Sequence, residues 1–89
     1  RMFAGAETFR VLGRADHSAI RSGVNAARHA QVDLIIAVGG GTTLDVGKAV
    51  SALAKHDSAE DVEGFQTGRH RVDPSKALPW IAVPTTSGT

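Results

Sequence analysis

Asp33-Leu34-Ile35-Ile36-Ala37-Val38-Gly39-Gly40-Gly41-Thr42-Thr43-Leu44-Asp45 is the stretch on which the fold turns. From Leu34 to Val38 the apolar run is continuous rather than alternating, the pattern of a parallel strand buried on both faces by crossover helices. Three glycines end it. A helix is predicted from about Thr43 to Lys55, with Leu44, Val50, Leu53 and Ala54 as its inward residues.

Upstream, Thr8-Phe9-Arg10-Val11-Leu12 mixes β-branched, aromatic and aliphatic residues before Gly13 and reads as a strand. Asp16 or Ser18 can then cap a helix running to about Ala30, on which Ile20, Val24 and Ala27 share one face. Downstream, 56–76 is polar, punctuated by Gly64, Gly68 and Pro74, and reads as a long connection with a short helical turn around 59–65. Trp80-Ile81-Ala82-Val83 is a third strand, closed by Pro84. Strand, helix, strand, helix, connection, strand is the order of an α/β layer with a parallel sheet. In such sheets ligands sit beyond the carboxyl ends of the strands, where both unusual loops of this sequence lie.

Composition sets outer limits. Eighty-nine residues, 42% hydrophobic and 21% charged, suit one small domain or part of a larger one. Ten Lys and Arg against nine Asp and Glu leave a net charge of +1, which supplies no strong field for nucleic acid or an anionic membrane. With no cysteine there is no disulfide, thiolate metal site or thiol nucleophile, a composition compatible with the cytoplasm. No apolar run approaches the roughly 20 residues of a membrane span. The chain opens on Arg1 and stops at Thr89 inside a loop motif, so a longer protein is expected around it.

The chemistry concentrates in the two loops. Glycines between a buried strand and a helix let the backbone turn sharply and leave no Cβ between the chain and a bulky anion. The helix beyond them offers unpaired N–H groups and about half a positive charge. Together these form a phosphate cradle. The same residues equally make a plain capping turn, in which Thr42 or Thr43 caps the helix and Asp45, three residues after Thr42, completes a capping box. Two better-known phosphate motifs are excluded. Gly41 to Gly47 has the wrong spacing for a P-loop, and the dinucleotide fingerprint would need glycine where Leu44 stands. Lys48 reads as a solvated residue or a helix ion-pair partner. After Pro84, Thr85-Thr86-Ser87-Gly88-Thr89 places four hydroxyls and a glycine in five residues, which suits a nucleotide's polar groups or a surface turn.

His17, His29, His56 and His70 have no metal-binding spacing and read as solvated. The acidic stretch of Asp57, Glu60, Asp61 and Glu63 and the basic Arg69-His70-Arg71 read as wet surface. No serine-hydrolase elbow or other complete catalytic set is present.

Taken together, the block from Asp33 to Lys48 and the block from Pro79 to Thr89 resemble, in order and separation, the two glycine- and threonine-rich blocks of the iron-containing (group III) alcohol dehydrogenases. The stretch from about Ala4 to Ala30 is similar to the strand and helix preceding the first block. The resemblance implies that residues 1–89 are part of an N-terminal, Rossmann-like dinucleotide-binding domain, with a C-terminal helical metal-binding domain lying beyond them. It implies NAD or NADP as cofactor, Fe2+ or another divalent metal whose ligands are not in this chain, a small alcohol or aldehyde substrate, and a homo-oligomeric full-length enzyme. Carried over position by position, Gly40, Gly41 and Thr42 would hold the pyrophosphate, and Thr85 and Thr86 would contact the cofactor near its phosphates and ribose. Asp45 matches an acidic position of the motif. Thr42 departs from the family's more usual Ser, and Gly47 and Ser87 stand where Ala is common. Maleylacetate reductases and glycerol dehydrogenases share the fold, and a non-catalytic nucleotide- or phosphate-binding module is the alternative from another class.

Overall fold

A computed structural model describes residues 8–11, 13–59 and 61–85. Its elements are α1 (His17–Ala30), β1 (Ile35–Gly39), α2 (Gly41–Leu53), α3 (Val62–Gln66), a 3-10 turn (Pro74–Lys76) and β2 (Trp80–Pro84). β1 and β2 pair in parallel with Ile35 opposite Trp80 and Gly39 opposite Pro84. The chain is therefore α/β, with a parallel two-stranded sheet and flanking helices, part of a Rossmann-like layer.

α1 begins where a carboxylate can take an orphan amide: Asp16 accepts from the Ala19 N–H at 2.9 Å. It ends at Gln31, which adopts a left-handed conformation (φ 53°) while its N–H meets the carbonyls of Ala27 and Arg28. Ile20, Val24 and Ala27 are buried, as their spacing predicts. Arg28, on the polar side, reaches across to the end of α2, donating from Nη1 to the carbonyls of Ala54 (2.8 Å) and His56 (2.7 Å). A cation is thus placed at the negative end of a helix.

α2 lies between α1 and the sheet, and glycines set both approaches. A Cβ on Gly47 would stand 2.6 Å from Cβ of Ala37 in β1, and one on Gly23 of α1 would stand 2.7 Å from Cγ2 of Val50. Gly23 weakens its helix by roughly 1 kcal/mol relative to Ala; the close helix contact is what it permits. The core joins Ile20 and Val24 of α1 to Val46, Val50, Leu53 and Ala54 of α2, with Ala59, Val62 and Leu78 from the connection. Leu44 is only half-buried, and Val46 takes the inward place expected of it. Ser51 is buried but satisfied, donating to the Lys48 carbonyl, while its own carbonyl accepts from Leu78 N–H at 2.8 Å.

Two expectations are corrected. Residues 8–11 form no strand (Leu12 lies outside the described residues): Val11 packs against the helical core and the Phe9 ring lies over Gly23. Strand preference is a preference for a pleated neighbour, and these side chains find a helix surface instead. β1 is also not covered on both faces by the described residues. Ala37 faces α2 and is buried, but Ile36 and Val38 are each 55% exposed, because α2 covers one side of the sheet and α1 packs mainly on α2.

Candidate functional site

The glycine turn occupies the carboxyl end of β1. Gly39 has a φ of 151°, which favours glycine, and a Cβ there would lie 3.0 Å from both Cβ and Oγ1 of Thr43. Gly40 is the N-cap of α2, extended, with no side-chain cap; its carbonyl accepts from Leu44 N–H at 3.0 Å. The helix therefore starts two residues before Thr43. Neither threonine caps it, and the Thr42–Asp45 capping box does not form, because the cap position is already taken by Gly40. Among the described residues no acceptor meets the amides of Gly41, Thr42 and Thr43. A Cβ on Gly40 or Gly41 would find nothing within 4 Å. Bare main chain, unpaired donors and the positive end of a 13-residue helix coincide here, an arrangement of the kind that suits an anion.

The second loop reaches the same place. Pro84 lies opposite Gly39, and the next amide, Thr85 N–H, donates to the Gly39 carbonyl at 2.9 Å. Gly40, Gly41, Thr42 and Thr85 thus lie together at one sheet edge, all of them exposed. Asp45 is exposed on the next turn of α2 and Lys48 lies further along; neither joins an ion pair among the described residues. Thr86 lies outside the described residues. Sequence reasoning did not assign the carbonyl of Gly39 as the link between the loops, although its signal was present: the first of three glycines, at a strand end.

The histidines differ from expectation. His56 is buried at 6% exposure, its Nε2 accepting from Asp73 N–H at 3.2 Å and its ring edge-on to Phe65. His70 Nε2 lies 2.9 Å from Oδ2 of Asp61, and His17 hydrogen-bonds Gln66; only His29 of the four keeps the solvated role among the described contacts. Asp61 also caps α3 through Gly64 N–H and pairs with Arg69 at 3.6 Å. The backbone bond from Gly64, then the bond from His70, hold the Asp61 carboxyl below its ordinary value. These residues lie around the connection, away from the glycine turn.

An open cavity of about 580 Å³ lies between residues 8–11, α1, β1 and α2. Among the described residues its lining, from Phe9 and Val11 to Ile36 and Val50, is mostly apolar, with His29 as the one titratable member; nothing described there converges on a reacting group. Among the described residues no three His, Asp or Glu side chains form a group that could hold a metal, and no helix is long and apolar enough to cross a membrane.

A family model described as iron-containing alcohol dehydrogenase matches residues 4–89. The chain is 44% identical over 63 residues to long-chain-alcohol dehydrogenase 1 of Geobacillus thermodenitrificans, covering 71% of this chain and 16% of that protein. It is 39% identical over 70 residues to 4-hydroxybutyrate dehydrogenase of Cupriavidus necator (79% and 18%), and 36% identical over 72 residues to a probable NADH-dependent butanol dehydrogenase of Bacillus subtilis (81% and 18%). The chain spans about a sixth of the length of the curated relatives it matches.

Proposed function

The chain belongs to the iron-containing alcohol dehydrogenase family, and from that premise we propose that it supplies the dinucleotide-binding part of an NAD(P)-dependent alcohol dehydrogenase. The observation that carries the reading is the meeting of the two loops: the Thr85 N–H bond to Gly39 sets a hydroxyl-bearing loop beside the open amides of Gly41 and Thr42. In this reading those amides hold the cofactor's pyrophosphate, Thr42 and Thr85 add hydroxyl contacts, Thr86 continues them, and Asp45 meets a ribose hydroxyl. The bound nicotinamide would supply the hydride acceptor and donor for alcohol–aldehyde interconversion.

Among the described residues no three His, Asp or Glu side chains form a group that could hold a metal ion, and the divalent metal is proposed to be held by other residues of the complete protein. The task of this part is to bind and orient. The relatives' names, a long-chain-alcohol, a 4-hydroxybutyrate and a butanol dehydrogenase among them, favour alcohols and hydroxy acids as the substrate class. The complete enzyme is proposed to be a cytoplasmic homo-oligomer.

The test is titration of the complete protein with NADH and with NADPH, wild type against Gly41→Val. A β-branched side chain fills the open space above Gly41, so affinity for the preferred dinucleotide falls at least roughly tenfold, the loss of one or two charge-assisted bonds. A folded variant that binds as wild type does would place the site elsewhere.

A further inference from the structure

The segment between α3 and β2 is pinned at its two ends by histidines whose ring nitrogens meet partners of opposite kind, a backbone N–H at one end and a carboxylate at the other. At the far end, Asp73 N–H donates to Nε2 of His56 at 3.2 Å. A backbone amide can only donate, so Nε2 carries its lone pair and the neutral ring's proton sits on Nδ1. Protonating the ring sets donor against donor and removes the bond. The ring has little room to turn away: it is 6% exposed, edge-on to Phe65 with centroids 4.9 Å apart, and its own carbonyl is held by Arg28 at 2.7 Å.

At the near end, His70 also packs on Phe65, with centroids 5.1 Å apart, and its Nε2 is 2.9 Å from the Asp61 carboxylate. There a proton adds charge to an existing hydrogen bond and strengthens it. Beyond both ends, Leu78 N–H on the Ser51 carbonyl anchors the entry to β2 independently.

We propose that residues 67–76 form a strap pinned to the C-terminal end of α2 by His56, and that acid releases the strap at Asp73 while His70 keeps its other end on α3. The charged groups facing His56 pull both ways. The Asp73 carboxylate, with Lys76 beside it, lies on the 3-10 side. The Arg28 guanidinium comes from α1; His70, with Asp61 and Arg69, shares the Phe65 ring with it; Lys55 and Asp57 flank it along the chain. The geometry at Nε2, not the sum of these fields, fixes the direction: the pinned strap requires an unprotonated nitrogen. The strap meets the C-terminal end of α2 and the glycine turn forms the N-terminal end of that 13-residue helix, so the device is separate from the proposed cofactor site.

The experiment is hydrogen exchange of the complete protein read by mass spectrometry at pH 8 and pH 5.5, corrected for intrinsic exchange. Protection of residues 71–76 is expected to fall roughly fivefold at pH 5.5, the worth of one net hydrogen bond, while that of 61–70, which His70 keeps on α3, is retained. His56→Gln, whose amide oxygen accepts a bond at any pH, is expected to abolish the change and leave NADH affinity as in wild type. Equal protection of 71–76 at both pH values overturns the proposal. So does the same loss in His56→Gln, or equal loss in 61–70.

Discussion

Gly39 shows how much one backbone position decides. Its φ of 151°, the Thr43 side chain 3.0 Å from where a Cβ would stand, and its carbonyl's bond to Thr85 N–H all depend on the missing side chain. Gly39→Ala is therefore expected to destabilise the complete protein by about 1–3 kcal/mol and to weaken dinucleotide binding with it. Urea unfolding checks the first, and an unchanged midpoint would mean that the turn relaxes at no cost. Residue types made the turn legible in the sequence, but not the division of labour within it. Thr42 or Thr43 was expected as the cap and Gly40 takes the place, because glycine is also acceptable at a helix start and only the backbone angles choose. His56 was misread for a related reason. Its burial depends on Phe65 and Asp73, nine and seventeen residues further along, a folding-back that no local pattern announces.

At the scale of elements, α1 and the two paired strands were readable because cap residue, apolar spacing and closing residue agreed. The strand expected at 8–12 had only composition behind it, with no partner to confirm it. Contacts between elements were not readable at all, and two of them invite measurement. Arg28 of α1 serves the carbonyls of Ala54 and His56 at the end of α2. Arg28→Ala should cost about 1–3 kcal/mol in urea unfolding; no loss would show that water serves those carbonyls equally well. Asp61, whose pKa is lowered by Gly64 and then His70, contributes stability that is full above the unfolded carboxylate value of about 3.9. That stability is lost as pH falls through the lower folded value. Asp61→Asn keeps an oxygen for Gly64 but not the charge. Acid unfolding followed by circular dichroism from pH 6 to 2 is thus expected to show a shallower acid limb in the variant, and coincident curves would contradict the assignment.

For the whole molecule, the informative feature is a face that the described helices leave bare. Ile36 and Val38 stand directly beside Ile81 and Val83, each between 42% and 55% exposed, in one apolar stripe across the sheet. The 89-residue chain alone should therefore self-associate in light scattering, and Ile36→Thr with Ile81→Thr should reduce that association; a monodisperse monomer would refute this. The same face explains why the continuous apolar run of β1 was misleading at this scale: it is written for cover on both sides, and the described residues provide one. Most direct for the central claim is a crystal structure of the complete protein with its preferred dinucleotide. Pyrophosphate oxygens within about 3 Å of the Gly41 and Thr42 amides, beside Thr85, are the predicted result. A dinucleotide bound with its phosphates away from that turn would contradict the account.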